Sequence, residues 1–392
     1  MTCSRCGSSK SSFGLTFFGG TCSACMSHAE LYDTSVVNEN RGYIEKLFDD
    51  SKTKSKGNYH CIVPIRGDAE DYFTLKYLLS KGLDPLVVHV NNFFQNEIGW
   101  ANVHNLITFF DVDSVSFSPN YETYRDLVAA SLRKIKSIYA PYKGIQHSYV
   151  MRLAAEKNIP LVVWGQCQPL EFSGKFSRRD RLFQSKWWVS EHELNGLSPE
   201  QFLSTGVALS DNEASIFKYP DRSEVAHVKS IFLSNFLFWD QVSQGSEALS
   251  AGYVPQRQVN TYDFYENAGS SVYYQVHDLL RLLNCGFPKV YEHLSRDIRF
   301  NRISKEQARP VRRGVDKYLA YDISSFFSKF LGVTSSGYQW FVEKRLEPLR
   351  HLLRASPERN LSEDVVVPPE IVEGYPVSSP AKNEFVVYMK GI

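Results

Sequence analysis

Four cysteines near the start of the chain have the type and spacing of a metal site. Cys3 and Cys6 form one Cys-x-x-Cys pair, Cys22 and Cys25 form another, and fifteen residues separate the pairs. Four thiolates suit the tetrahedral coordination of zinc, and a site with four protein ligands leaves no position for water. The sequence therefore predicts a structural zinc module, with a disulfide pair or free thiols as the alternative. His28 is expected at the surface and not as a ligand.

The composition sets broad limits on the class of protein. The chain has 392 residues and a formal net charge of +1, so no global charge indicates nucleic acid or a membrane surface as a partner. No apolar stretch reaches the length of about 18 residues that a transmembrane helix needs. The first residues lack the charged-then-apolar pattern of a secretory signal, so a cytoplasmic location is expected. Reduced thiols there favour metal over disulfides.

Strands and helices alternate in the middle of the chain. Short apolar runs predict strands at 59–65, 85–90, 114–117 and 160–164, and helical periodicity predicts helices at 71–79, 98–110, 121–138 and 146–157. This alternation is typical of an α/β fold, a doubly wound parallel sheet with helices on both faces. Ligands in such sheets bind where the strands end. The turn after Ile65, the segment 91–93 and the loop after Trp164 are therefore expected on one rim.

The C-terminal half has mainly helical patterns. Helices are predicted at 225–239, 272–283, 304–318 and 323–330, followed by an extended tail at 351–383 and an added strand at 386–389. These patterns suggest four units. They are a four-cysteine zinc module at 1–35, an α/β domain at 36–175, a mainly helical region at 176–350 and a tail at 351–392.

Several motifs, in chain order, resemble those of the N-acetyl sugar amidotransferases of surface-polysaccharide (lipopolysaccharide) biosynthesis. That family belongs to the PP-loop ATP pyrophosphatases, whose sheet is of the HUP-like type. The matching segments are the two cysteine pairs, Ile159 to Gly165, Glu171 to Gly174, Thr261 to Asp263, Val276 to Leu279 and His293 to Arg299. The resemblance covers roughly residues 1 to 345, and Ser-Arg-Asp-Ile-Arg at 295–299 is its most specific part.

The resemblance implies an activity. Family members convert the acetamido group of a sugar or sugar nucleotide to an acetamidino group. ATP, held with magnesium, activates the amide oxygen by adenylation, and ammonia from a separate glutaminase displaces AMP. An amide oxygen leaves poorly until it carries a phosphoryl group, so such an enzyme must hold phosphates beside the sugar and exclude water.

The phosphate-binding loop departs from the family pattern. The PP-loop reads Ser-Gly-Gly-x-Asp-Ser, and its backbone N–H groups cradle pyrophosphate at a helix start. This chain has Arg66-Gly67-Asp68-Ala69-Glu70-Asp71 at the matching place. Its three carboxylates either repel the triphosphate of ATP or act as helix-terminus acids stabilised by the dipole. Arg66 either pairs with a phosphate or neutralises these acids, and neutralisation is favoured because the acids are close in sequence.

Two further departures fall on the expected rim. Tyr139 and Tyr142 stand where relatives commonly have two cysteines, and Gln166-Cys167 replaces a Glu-Asn pair. The lost glutamate is a candidate carboxylate for magnesium or for proton transfer. Active-site motifs are therefore altered more than scaffold motifs.

Candidate functional residues follow from these motifs. If chemistry survives, Arg66 and Gly67 would contact the phosphates, and Asp68, Glu70 or Asp71 would hold magnesium. Glu171 and His277 are the candidates for catalysis and substrate contact. The remaining candidates are Arg296, Asp297 and Arg299, which would clamp a carboxylate or phosphate or form a salt-bridge network between helices. A basic cluster at Arg178, Arg179 and Arg181 would grip an anionic sugar nucleotide or, as is more common, form a solvated turn.

Three functions remain open from the sequence. The first is an amidotransferase for an N-acetylated sugar, with a glutaminase partner. The second is a catalytically silent relative that binds a sugar or a partner protein. The third is a PP-loop tRNA-modifying enzyme, which would need a basic surface and reactive thiols that the sequence does not clearly show. Fold alone does not decide among them.

Overall fold

The computed structural model describes residues 2–9, 14–57, 59–204, 210–263, 271–285, 287–318, 321–341 and 343. The predicted tail at 351–392, with its added strand, lies outside the described residues. None of the helices that the structure describes is long and apolar enough to cross a membrane.

A five-stranded parallel sheet forms the centre of the protein. A two-stranded antiparallel hairpin precedes it, made of β1 (Phe17–Phe18) and β2 (Thr21–Cys22). The sheet strands are β3 (Cys61–Ile65), β4 (Pro85–Val90), β5 (Ser114–Phe117), β6 (Leu161–Trp164) and β7 (Lys229–Phe232). Their order is β5-β4-β3-β6-β7 and every pairing is parallel. The strand order reverses beside β3, so the crevice between the ends of β3 and β6 is the usual ligand position in this architecture.

Helices cover both faces of the sheet and form most of the C-terminal region. They are α1 (Ser23–Ala29), α2 (Thr34–Lys54), α3 (Ala69–Ser80), α4 (Glu97–Phe110), α5 (Tyr121–Ile135), α6 (Ala140–Glu156), α7 (Gln168–Glu171), α8 (Lys186–Trp188), α9 (Pro199–Leu203), α10 (Asp211–Ser215), α11 (Gln241–Ser250), α12 (Tyr274–Cys285), α13 (Val290–Arg299), α14 (Lys305–Tyr318) and α15 (Ser335–Phe341). Short 3₁₀ segments lie at Glu30–Tyr32 and Leu233–Asn235, and π-helical turns at Val189–Glu193 and Phe326–Phe330.

The two faces of the sheet belong to two separate cores. Ile62 of β3 packs in a core with α5, α6 and α12, whereas its neighbours Cys61 and Val63 pack in a core with α2, α3, α4 and α11. Alternate residues of a strand point to opposite faces, so a strand covered on both sides must be apolar throughout. The doubly wound parallel sheet predicted from the sequence is therefore confirmed, together with a mainly helical C-terminal region.

One predicted helix is wrong. The segment 225–239 has apolar residues on a helical period, but it forms the edge strand β7 and a 3₁₀ turn. In β7, Ile231 and Phe232 align with Val163 and Trp164 of β6. Periodicity does not separate a short buried strand from a helix, and pairing with the open edge of β6 decides the outcome.

The N-terminal module packs against the C-terminal helices. All four cysteines share a small core with Leu294 and Ile298 of α13 and Ala308 of α14. The Ser8 hydroxyl donates to the Ser295 hydroxyl at 2.8 Å, and Arg312 donates to the Gly7 carbonyl at 3.1 Å. The two ends of the described chain are therefore joined at one place, beside the Ser-Arg-Asp-Ile-Arg segment.

Candidate functional site

The four N-terminal cysteines are gathered at one point. Their sulfur atoms lie within 4.8 Å of one another and all four residues are buried. The Sγ atoms of Cys3 and Cys25 are 3.8 Å apart, and those of Cys6 and Cys22 are 3.6 Å apart. Four sulfurs at about 2.3 Å from a zinc ion would have edges of roughly 3.8 Å, so the cluster fits a tetrahedral zinc ion. With four protein ligands such an ion would be structural.

Helix α1 links this cluster to the rest of the site. It begins at Ser23, directly after Cys22, and carries both Cys25 and His28. His28 was expected at the surface, but it is buried, because its ring packs edge-on against Phe300 at 4.6 Å. Burial and then the positive charge of Arg299 lower the pKa of His28 to about 4. The imidazole is therefore neutral at physiological pH.

The loop after β3 is closed by one of its own side chains. The Oδ2 atom of Asp71 accepts hydrogen bonds from the backbone N–H groups of Arg66, Gly67 and Asp68, at 2.8, 2.9 and 3.0 Å. Successive N–H groups that converge in this way form an anion-binding nest. In this chain the nest already contains the carboxyl group of Asp71.

The acidic residues at the mouth of the loop are also engaged. The Arg66 guanidinium lies 2.7 Å from Asp68 and 3.7 Å from Glu70, so it neutralises these acids, as the sequence favoured. The carboxyl group of Glu70 lies 3.3 Å from the position that a Cβ atom of Gly165 would occupy. Gly165 follows β6, so the Glu70 side chain fills the crevice between the ends of β3 and β6.

Gly67 has a conformation that other residues adopt rarely. Its φ angle is +81°, and an added Cβ atom would lie 2.8 Å from the backbone nitrogen of Val103. The glycine therefore lets the loop turn tightly against α4. The path of the backbone therefore requires Gly67, whether or not a phosphate is present.

ATP and magnesium do not fit this loop as the chain arranges it. The N–H groups that would hold a phosphate are used by Asp71, and the acids that would hold magnesium face Arg66. Burial, then the charges of Asp68 and Glu70, raises the pKa of Asp71 to about 8. A protonated Asp71 still accepts the three hydrogen bonds through Oδ2, so it fills the nest in either state.

This raised pKa predicts a pH dependence of folding. An acid with a higher pKa in the folded protein binds more protons there, so its contribution to stability is full below pH 4 and is lost as the pH rises through 8. From pH 5 to pH 8, the wild type should therefore lose stability relative to Asp71→Asn, by at most about 1.4 kcal/mol per pH unit, with no further loss above pH 8. Urea unfolding of both proteins at several pH values measures this, and a constant difference would contradict it.

The two tyrosines that the resemblance aligned with cysteines belong to the core. Tyr139 and Tyr142 are 8% and 1% exposed, at the start of α6. Burial raises the pKa of Tyr142, which keeps its hydroxyl protonated. Helix α6 begins at Ala140, six residues before its predicted start, with Pro141 in its first turn, where a proline costs no hydrogen bond.

Glu171, a predicted catalytic residue, is held by a buried arginine. Nη2 of Arg178 lies 2.8 and 2.9 Å from the two carboxylate oxygens of Glu171. Burial raises the pKa of Glu171, and Arg178 opposes this rise. The predicted basic cluster is divided, since Arg178 is buried whereas Arg179 is exposed and pairs with Glu39. It therefore forms no single surface for an anion.

The Ser-Arg-Asp-Ile-Arg segment lies on α13 and divides into two parts. Arg296 donates to Asp263 at 2.6 Å and to Asp297 at 3.1 Å. Asp297 also accepts from Arg302 at 3.2 Å and from the Tyr262 hydroxyl at 2.8 Å. These residues form the internal salt-bridge network that was one of the two interpretations. Arg299 is outside this network.

A small cleft collects several of the predicted residues beside the ends of β6 and β7. It is lined by His28, Gln166, Glu171, Phe172, Trp239, Gln241, Arg296, Arg299 and Phe300. Its cavity volume is about 20 Å³, which is room for about one water molecule, and the cleft opens to solvent. His277 is not among the lining residues, because its ring packs against Tyr139 at 4.9 Å. The structure therefore brings Glu171, Arg296 and Arg299 together and leaves His277 elsewhere.

Four lining residues were not predicted from the sequence, namely His28, Trp239, Gln241 and Phe300. Trp239 and Gln241 follow β7, which the sequence did not identify as a strand, so their place on the rim was not foreseen. His28 reaches the cleft because α1 is docked by the cysteine cluster. The sequence contains no decisive signal for Trp239 and Gln241, because the segment before them fits a helical period as well as a short buried strand.

Comparisons with known proteins do not identify a family for this chain. No protein-family model matches the chain. No curated protein matches it either. Among solved structures, NMN synthetase from Francisella tularensis is similar at 12% sequence identity, with a TM-score of 0.32; the match covers 69% of this chain and 94% of that chain. At this identity and TM-score, the similarity assigns no role to any residue.

Proposed function

We propose that this protein is a catalytically silent relative of the N-acetyl sugar amidotransferases, which binds a sugar ligand without using ATP. The observation that carries the proposal is the Asp71 carboxyl group in the nest formed by Arg66, Gly67 and Asp68. The nearby cleft, with Glu171, Arg296 and Arg299 from motifs of the resemblance, supports the ligand-binding part.

Displacing Asp71 by a phosphate would be unfavourable. The phosphate would replace three short hydrogen bonds that already exist, and Asp71 is 7% exposed, so its carboxyl group would lose partners inside the protein. A buried polar group without partners costs about 1–3 kcal/mol, and more if it is charged. The carboxylate of Glu70 would also face the incoming triphosphate with the same sign of charge.

Amidotransferase activity, with ammonia from a glutaminase partner, is the competing hypothesis. It requires ATP to bind, so it needs Asp71 to leave the nest and Glu70 to leave the crevice beside Gly165. Nucleotide binding therefore separates the two functions before any sugar substrate is known.

Calorimetric titration of ATP with magnesium into the zinc-loaded full chain tests the proposal. We expect no saturable heat up to roughly 1 mM ATP, which corresponds to a binding free energy weaker than about −4 kcal/mol. The variant Asp71→Ser restores the residue type of the family loop and frees the nest, so it should bind pyrophosphate more tightly than the wild type does.

The matched control is Asp49→Ser on α2, because the Asp49 side chain is 77% exposed and remote from the loop in sequence. It should behave like the wild type. Micromolar ATP binding by the wild type, weakened by Arg66→Ala, would overturn the proposal and favour the amidotransferase. Circular dichroism of each variant establishes that it is folded.

A further inference from the structure

We propose that the cleft beside β6 and β7 is an anion-binding site, in which Arg299 and Trp239 hold the carboxylate or phosphate group of an acidic sugar. The sugar in this statement rests on the proposed function, whereas the anionic group is argued from the cleft alone.

Arg299 supplies the charge. It is 4% exposed, and among the described residues its guanidinium makes one long hydrogen bond, 3.5 Å to the Glu171 carbonyl. A buried arginine normally has several of its five N–H donors satisfied, and its planar fork matches carboxylate and phosphate oxygens. Arg299 lines the cleft, so an anion bound there would accept hydrogen bonds from its guanidinium.

A buried ring nitrogen at the same cleft supports the same conclusion. The indole Nε1 of Trp239 has no hydrogen-bond partner among the described residues. Trp239 is 1% exposed. A buried indole N–H usually finds a partner, so an orphaned one beside an underused guanidinium indicates a missing acceptor.

The other charges around the cleft are already balanced. Arg296 pairs with Asp263 and Asp297, and Glu171 pairs with Arg178. Among the described residues that line the cleft, Arg299 is therefore the cation without an ion pair of its own, although its charge also acts on Glu171. Hydrogen bonds from Cys22 and Cys25 lower the pKa of Cys6 most, and the positive charge of Arg299 lowers it further. Arg299 therefore also acts on the cysteine cluster. A variant that keeps the charge is needed for this reason.

Aromatic side chains form the wall and the mouth of the cleft. Phe172 and Phe300 line it, and Phe300 contacts Phe238, whose ring centroid lies 6.0 Å away. Phe238 and its neighbour Tyr32 are 50% and 58% exposed. An exposed aromatic rim beside an enclosed cationic end suits a ligand with an anionic group at one end and an apolar ring face at the other.

The test uses three probes against the zinc-loaded full chain in a calorimeter: glucuronate, glucose 6-phosphate and neutral glucose. We expect the two anionic sugars to bind saturably and glucose not to bind. Tighter glucuronate identifies a carboxylate site, and tighter glucose 6-phosphate identifies a phosphate site. Absence of saturable binding by both anions, or equal binding of glucose, would overturn the inference.

Two variants locate the site. Arg299→Lys keeps the charge facing the cysteines but removes the planar fork, and should weaken the better probe by about tenfold. Trp239→Phe keeps the ring but removes the N–H, and should weaken it by about threefold to tenfold. The matched control Arg179→Lys, at an exposed arginine, should leave binding unchanged. Unchanged binding in both cleft variants would place the anion elsewhere.

ATP binding measured in the same calorimeter would overturn the proposed function but not the anion site.

Discussion

Replacing Cys22 with serine is expected to remove zinc from the protein and to unfold its N-terminal module. A hydroxyl group is a far weaker zinc ligand than a thiolate, and structural zinc supplies folding free energy of about 10–16 kcal/mol in small modules. The two strands of the hairpin, β1 and β2, are two residues each and cannot hold the module together alone. Zinc content measured by mass spectrometry should fall from one ion per chain to none.

The same substitution should also disturb the cleft. The cysteines pack against Leu294 and Ile298 of α13, and α1 carries His28, so the module and the cleft share two helices. We expect a lower unfolding temperature and loss of anionic-sugar binding. Cys61→Ala is the control, because Cys61 is a buried thiol of β3 that is remote from the cluster. Cys22→Ser protein that retains one zinc per chain would contradict the assignment.

Replacing Gly174 with alanine is expected to destabilise the protein by about 3 kcal/mol. Gly174 has φ +57°, and an added Cβ atom would lie 2.3 Å from the carbonyl carbon and oxygen of Ser23. A left-handed residue other than glycine costs about 1–2 kcal/mol, and forcing apart packed backbone adds about 1–3 kcal/mol. Ser23 begins α1, so the clash falls on the contact between the zinc module and the loop after α7.

Gly196→Ala separates these two contributions. Gly196 has φ +83° but nothing lies within 4 Å of its added Cβ atom, so this variant should lose only about 1 kcal/mol. Urea unfolding of both variants gives the comparison. Equal losses for the two would mean that the approach of Gly174 to Ser23 does not constrain the fold, and that the zinc module docks more loosely than the contacts indicate.

Local features of this protein could be predicted from sequence. The zinc ligands are two residues apart within each pair, so their geometry depends on short turns and hardly on the rest of the chain. The central strands β3 and β6 are continuous apolar runs, and β4 is apolar except for His89, because helices cover both faces of the sheet. The edge strand β7 could not be predicted in this way, since the open edge of β6 determines its state.

The phosphate loop could be predicted only in part from the sequence. Its residue types established that three acids and one arginine replace the family pattern, which cast doubt on ATP use. They could not show which acid enters the nest. That choice depends on the backbone turn at Gly67 against α4, which directs three N–H groups at Asp71. Asp68 and Glu70, of the same charge, instead face Arg66.

The cleft was decided by tertiary structure alone. Its lining comes from α1, from the segments after β6 and β7, and from α13, which are more than 100 residues apart at their extremes. In the sequence, Arg296 and Arg299 were equivalent candidates three positions apart. Within the described part of the chain, packing gives Arg296 two carboxylate partners and leaves the Arg299 guanidinium with one long hydrogen bond. Residue types are local properties of a chain, but the partners that satisfy or expose a buried charge come from distant segments, and only the folded structure specifies them.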